Sequence, residues 1–377
     1  MIYLDYSATT PVNLEVLTSF EKVAKDYIGN PNSLHKLGSD SYELMNRAIE
    51  QMASLLNVKS NELIFTSGAT EANNLAIKGI CYKYQNRGKH IITTKLEHSS
   101  VSEVMHYLSN RGFEISYVNL LDNGLVDIEH LKSLIRDDTI LVSICHVNSE
   151  VGIVQPINEI GKALKKYSKL FFHVDGTQAV GKIPVDLTNI DLYSFSSHKI
   201  YGLKGVGCLF KQASIDLEPL LHGGKSQSIY RAGTPSLALI VSFSKALRLS
   251  LENLDEKYEH IKKLNDLIRN ELSKYEHIKI NSNEHCLPHI LNISYVGINS
   301  ETFMHALEQH GIYVSSQTAC SKLDGPSKTI MALYNDKKRA VSSIRISLSH
   351  LTTEEEINLF LKCFDVEYEA LSAVLGE

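Results

Sequence analysis

Apolar residues in this chain switch between two spacings, and the switches mark out its elements. From Leu14 to about Tyr27, and again from Tyr42 to Leu56, they recur every three or four residues, which gives a helix one buried stripe. Gly29-Asn30-Pro31-Asn32-Ser33 breaks the chain between the two. Short apolar runs then alternate with helical stretches, and seven of them read as strands: Glu62 to Phe65, His90 to Thr94, Glu114 to Val118, Thr139 to His146, Leu170 to Asp175, Asp191 to Ser196 and Gly205 to Phe210. Such alternation predicts an α/β unit around a mostly parallel sheet, with its ligand site at the carboxyl ends of the strands. Beyond about residue 235, helical patterns run to Tyr275. Ile278 to Ile280, Ile290 to Tyr295 and Ser343 to Leu348 then give the strands of a smaller α+β unit, closed by a helix from Glu354 to Leu375. No linker rich in Gly, Pro or Ser separates the two parts. The expected division is a large domain over 14–250 and a small one made of 1–13 and 251–377.

Composition removes some partners. The 377 residues are 43% hydrophobic and carry a net charge of -5, so no global basic field draws the chain to nucleic acid or to anionic membranes. Lys337-Lys338-Arg339 is the best basic candidate and reads as a solvated turn. No segment reaches about 18 uninterrupted apolar residues, and Asp5 stands where a signal peptide needs an apolar run. A cytoplasmic enzyme with reduced thiols is expected. Of the six cysteines, Cys81, Cys145, Cys208 and Cys363 sit in apolar runs or helical patterns and read as inert, and Cys286 is in a loop-like stretch. Cys320 differs in kind. Its surroundings, Val314 to Pro326, are polar and contain Gly and Pro, which predicts an exposed, mobile thiol, with Lys322 near enough to favour the thiolate.

The candidate chemistry gathers around Ser194-Phe195-Ser196-Ser197-His198-Lys199-Ile200-Tyr201-Gly202. A lysine at a strand mouth among hydroxyls suits a Schiff base, because desolvation and cationic neighbours release its amine for attack on a carbonyl. That points to pyridoxal 5'-phosphate. Phe171 to Gln178 reads as a buried strand ending in Asp175, an acid placed to pair with a protonated pyridine nitrogen. Phe65 to Asn73 turns from a strand through Gly68 into a helix whose first N–H groups and hydroxyls form an anion cradle. His98 lies where a strand gives way to a helix, and its imidazole suits ring stacking and proton transfer. Asn148 follows an apolar strand, where its amide can reach a cofactor oxygen or a substrate carboxylate. The glycines at 202 to 207 lead into a strand instead of a helix, which rules out a dinucleotide fingerprint. His285 and His289 flank Cys286, but Pro288 argues against the helix that would join them at a metal.

A series of motifs, "YLDYSATTPV", "FTSGATEANNLAIKG", "LEHSSV", "ILVSICHVNSEVG", "FFHVDGTQAVGKIPVD", "SFSSHKIYGLKGVG", "YRAGTPS", "PHILNIS" and "SSIRISLSHLTTEEE", resembles in order that of NifS/IscS-like cysteine desulfurases. These belong to the class V aminotransferase group of fold-type-I pyridoxal phosphate enzymes, and the match runs from about Ile2 to Glu356. The resemblance implies a homodimer that converts L-cysteine to L-alanine and leaves the sulfur on Cys320 as a persulfide, for an iron-sulfur scaffold or a tRNA-thiolating enzyme. It implies that Lys199 forms the Schiff base and then acts as base, that Asp175 pairs with the pyridine nitrogen, and that Gln178 contacts the ring hydroxyl oxygen. His98 would stack on the ring and shuttle protons. Ala69, Thr70, Ser196, Ser197 and His198 match cofactor-binding positions, mostly around the phosphate, and Thr234 matches a threonine that reaches across the dimer. Asn148, counted among the cofactor contacts too, and Arg345 match the pair that holds the amino-acid carboxylate. Some positions depart from the pattern. Gln317 and Thr318 alter the stretch before Cys320, the glycine-rich segment at 222 to 228 lacks its third glycine and Gln-Glu pair, and Ser149 and Gly176 replace the commoner Asn and Ala. Rival readings are a class V transaminase, a selenocysteine lyase, a cysteine sulfinate desulfinase, or a non-catalytic sulfur-relay docking protein.

Overall fold

A computed structural model describes residues 1–224, 227–316 and 325–375. Seven strands form the main sheet, in the order Leu63–Thr66, Gly207–Lys211, Leu192–Ser196, Phe171–Asp175, Thr139–Cys145, His90–Thr93, Glu114–Tyr117. Gly207–Lys211 runs antiparallel to both neighbours, and the remaining pairs are parallel. The expected mostly parallel α/β sheet is what forms. Every residue from Thr139 to Cys145 is buried, as a parallel strand covered on both faces must be. On one face Ala76, Ile80, Val101 and Met105 from helices Ala69–Tyr84 and Ser99–Ser109 pack on Ile91, Leu141 and Leu209. On the other, Val16, Met52, Ile160 and Phe243 close over Val142, Phe172 and Val174.

A second sheet pairs Ile290–Tyr295 with both Ser343–Ser347 and Ile278–Ile280, all antiparallel. Helices Leu254–Leu272, Ser300–Gln309 and Glu354–Leu375 cover it, burying Ile268, Phe303, Phe360 and Phe364. The amino terminus returns to this unit. Ile2–Tyr3 pairs with Ile312–Tyr313, and Asp5 bridges to Ser347.

Three differences from the sequence pattern have local causes. The helix expected from Tyr42 begins at Lys36, because His35 caps it by accepting the Gly38 N–H and its first turn carries no apolar period to see. The helical stretch up to Tyr275 is two helices, Leu237–Leu251 and Leu254–Leu272, divided at Asn253, whose φ of 53° is left-handed. Lys337–Val341 is a short helix, and its Arg339 is no solvated charge: it stacks 3.6 Å from the Tyr334 ring centre and bonds the Ile280 carbonyl and the Asn281 side chain.

Candidate active site

The carboxyl ends of the parallel strands open into a cavity of about 430 Å³, within the range that small-molecule sites occupy. Lys199, Asp175, His98, Gln178 and Arg345 all line it, and so do Ala69, Thr70, Ser196 and His198. Residues predicted from five separate stretches of sequence thus share one space. The other predicted residues fall elsewhere. Ser197 is buried beside the lysine, and Thr234 is exposed on the segment before helix Leu237–Leu251. Asn148 is also off the lining. Its amide is spent on backbone, donating to Leu96 O and accepting from the N–H groups of Glu150 and Val151, so it shapes the turn that presents Val147 and Ser149. Cys320 lies outside the described residues.

Strand Leu192–Ser196 ends in one turn of 3-10 helix that carries Lys199. Its Nζ donates to Ser7 O at 2.5 Å and Ala8 O at 2.6 Å. The same amino-terminal segment is sewn to the lysine loop by further bonds, among them Thr10 N–H and Oγ1 to His198 O, Tyr201 N–H to Thr10 Oγ1, and a 3.1 Å contact between His198 Nδ1 and Thr9 Oγ1. Backbone carbonyls leave no mark on residue type, so nothing in the sequence of this segment points to its contact with the lysine.

Asp175 ends its strand facing three donors. Oδ1 accepts from the Thr177 N–H and hydroxyl, and Oδ2 accepts from Asn73 Nδ2 at 2.8 Å. The second proton of Asn73 Nδ2 goes to Ser100 Oγ at 2.9 Å, and Ser100 Oγ lies 2.8 Å from His98 Nδ1. Because Nδ1 also accepts the Ser100 N–H, the neutral ring of His98 carries its proton on Nε2. Burial pushes the His98 pKa down, with Lys199 and Arg345 adding to it and Asp175 opposing, so the neutral ring is the resting form. Asn73 and Ser100 were missed in the sequence, although both stand inside quoted motifs.

Helix Ala69–Tyr84 points its amino terminus into the cavity with Gly68 as N-cap and no side-chain cap bond. Its first N–H groups are the unsatisfied donors that every helix start carries. Ser196 Oγ, buried and without a partner, lies 4.0 Å from where a Cβ on Gly68 would stand. Strand Gly207–Lys211 comes so close here that a Cβ on Gly207 would meet the Gly68 backbone at 2.6 Å, which is why that position is glycine. Helix terminus, spare hydroxyl, lysine amine and an acid held by three donors are the set that a phosphorylated, nitrogen-ring aldehyde requires, so the residues fit pyridoxal phosphate.

Arg345 is 1% exposed. Nη1 donates to Ser149 O and Nη2 to Asp5 Oδ1, both at 2.8 Å, while Nε is buried without a partner. Its guanidinium therefore keeps donors for an incoming carboxylate. Gly176, next to Asp175, has a steric reason to be glycine. A Cβ there would stand 1.9 Å from Cζ of Tyr193, whose hydroxyl is held 2.9 Å from His146 Nδ1.

Comparison with known proteins gives the site a context. A family model described as aminotransferase class-V matches residues 2–360. The chain is 39% identical to a cysteine desulfurase IscS of Dictyoglomus turgidum, covering 99% of this chain and 96% of that one. It is 44% identical to the cysteine desulfurase IscS of Glaesserella parasuis over 95% and 90%. Among solved structures, a NifS-like protein superposes with a TM-score of 0.92 at 36% identity, covering 98% and 99%. A structure of SspA in complex with cysteine superposes with a TM-score of 0.83 at 30% identity, over 94% and 100%.

Proposed function

The chain belongs to the class-V aminotransferase family, and from that premise we propose that it is a cysteine desulfurase that holds pyridoxal 5'-phosphate at Lys199. The observation that carries the reading is the meeting, in one cavity, of the Lys199 amine, the Asp175 carboxylate with its three donors, a helix amino terminus beside the unpartnered Ser196 hydroxyl, and Arg345. Bound there, the cofactor supplies an electron sink next to the substrate's α-carbon.

The chain's own residues do the rest. Ala69, Thr70, Ser196 and His198 hold the phosphate side, Asp175 the ring nitrogen and Gln178 the ring oxygen, while Ser197, buried off the lining, supports the lysine turn and Asn148 shapes the neighbouring one. Arg345 receives the carboxylate of L-cysteine and so fixes which hydrogen faces Lys199. Lys199 Nζ would take the α-proton, and the neutral His98 ring, with its Nε2 proton, would move protons within the same cavity. Cys320 then takes the substrate sulfur. The carbon-sulfur bond breaks, a sulfur-sulfur bond forms, and L-cysteine plus the Cys320 thiol give L-alanine plus the Cys320 persulfide, with no external oxidant or reductant. The other thiols are poor candidates: burial pushes the pKa of Cys81, Cys145, Cys208, Cys286 and Cys363 up, away from the thiolate.

The enzyme is read as a cytoplasmic homodimer in which Thr234 completes the partner's phosphate site, with residues 1–13 and 251–377 as its small domain. Its persulfide would pass to an iron-sulfur scaffold or a tRNA-thiolating enzyme. Among the described residues no helix is long and apolar enough to cross a membrane.

The test is single-turnover release of alanine from L-cysteine, with mass spectrometry locating the added sulfur atom. Cys320→Ser should keep the bound cofactor's colour yet make almost no alanine, while Cys81→Ser and Cys363→Ser stay near wild type. Sulfur on another cysteine, or wild-type turnover by Cys320→Ser, would leave a transaminase or a selenium- or sulfinate-specific lyase as the better reading.

A further inference from the structure

Lys182 is a buried lysine that none of these roles uses. It is 8% exposed, and burial, with Lys199 and Arg345 adding to it, pushes its pKa down to about 7. A lysine kept in so costly a place needs a partner that repays it. That partner is Gln178, 4% exposed and one turn earlier, whose Oε1 accepts from Lys182 Nζ at 2.5 Å. On the far side of Lys182 is a chamber of only about 20 Å³, walled by Lys199, Tyr201, His289 and His350. Lys182 thus stands behind the cavity wall, and Gln178 is part of that wall.

The two neighbours of the Gln178 amide have opposite hydrogen-bonding character. Ser7 O can only accept, and it takes one proton of Nε2 at 2.9 Å. Lys182 Nζ donates, so it holds Oε1 away from the cavity. The second Nε2 proton is what remains for an acceptor on the cavity side. Without Lys182, Oε1 would be a buried acceptor with no donor, and the amide would gain by rotating to find one.

We propose that Lys182 is a positioning residue, whose donation to Gln178 Oε1 locks the amide with its Nε2 proton presented to the ring oxygen of bound pyridoxal phosphate. The inference rests on the proposed cofactor site and on Gln178 as its contact. A donor at the ring oxygen favours the electron distribution of the coloured, bound form, so Lys182 should act on both cofactor affinity and absorption spectrum.

The experiment strips the cofactor from the purified protein and titrates pyridoxal phosphate back, reading the dissociation constant and the absorption maximum. Four proteins are compared with wild type: Lys182→Met, Lys182→Gln, Gln178→Leu, and the Lys182→Met/Gln178→Leu double variant. Lys182→Met should weaken affinity about tenfold, near the worth of one well-placed hydrogen bond, and shift the absorption in the same direction as Gln178→Leu. Lys182→Gln, which keeps an N–H donor, should stay closer to wild type. In the Gln178→Leu background, Lys182→Met should change neither readout further. An unchanged Lys182→Met beside a changed Gln178→Leu overturns the role of Lys182 alone. An equal loss in both backgrounds does the same, because it marks a merely structural lysine. If Gln178→Leu leaves both readouts at wild type, the ring-oxygen contact itself falls and this proposal with it. Should Lys182→Met not fold, Lys182→Gln decides: affinity within about threefold of wild type supports the lock, and a loss of about tenfold or more overturns it.

Discussion

Gly176→Ala adds one methyl group at a place already filled. The new Cβ would stand 1.9 Å from Cζ, 2.0 Å from Cε1 and 2.2 Å from the hydroxyl of Tyr193, whereas non-bonded carbons rest about 3.5 to 4.0 Å apart. Something must therefore move by about 1.5 Å or more. The ring has little room to do so. Tyr193 is fully buried in a central strand, and its hydroxyl is tied to His146. Overpacking of this kind costs about 1–3 kcal/mol, and breaking the Tyr193–His146 bond adds about 1 kcal/mol more, so a loss of about 2–4 kcal/mol is expected. Denaturant unfolding of the holoenzyme measures it, as a lower midpoint at unchanged slope. Tyr193→Leu removes the obstructing ring, so the Gly176→Ala/Tyr193→Leu pair should be more stable than the sum of its single losses predicts, by about 1–3 kcal/mol of coupling. Gly176→Ala that unfolds within about 0.5 kcal/mol of wild type, or single losses that simply add, would refute the packing argument. The activity readout is informative too, since Asp175 is the preceding residue: turnover should fall with stability in Gly176→Ala and recover in the pair.

Other predictions follow from the same geometry. Lys199→Ala should bind pyridoxal phosphate noncovalently through the phosphate contacts yet release no alanine, measured by dialysis and single-turnover assay. Asp5→Ala leaves the buried Arg345 charge without its carboxylate, and breaking such a pair costs about 3–5 kcal/mol; because L-alanine can bring a replacement carboxylate, it should raise the melting temperature more in the variant than in wild type. His146 and His173 are buried with pKa values pushed down to about 4, so they must stay neutral to fold. Their contribution is fully present above about pH 6.5 and is lost as pH falls towards 4, at up to about 1.4 kcal/mol per pH unit for each, which unfolding measured across that window would reveal as an acid-side slope.

How much of this was legible beforehand depends on what kind of interaction holds each group. Lys199, Asp175 and the Gly68 turn are visible as residue types at strand ends, because a Schiff base, a ring-nitrogen partner and a phosphate cradle each demand particular chemistry at a topologically fixed place. The strands themselves, such as Ile278–Ile280 and Ile290–Tyr295, follow from apolar runs whose bounds the fold respects. What could not be read were contacts whose meaning exists only in three dimensions. Ser7 and Ala8 serve Lys199 through main-chain oxygens, which any residue would supply, from 191 or more positions away. Asn148 has the residue type of a ligand group, yet its hydrogen bonds go to the chain, and no sequence pattern separates those two uses of an amide. Gly176 is the sharpest instance. As a departure from the resembling family it carried no explanation in the sequence, because the cause is the Tyr193 ring, seventeen residues on and one strand over. Pairs of this kind separate the residues that perform the chemistry from those that only make room for it. At such positions a substitution is read through its partner rather than through its own type.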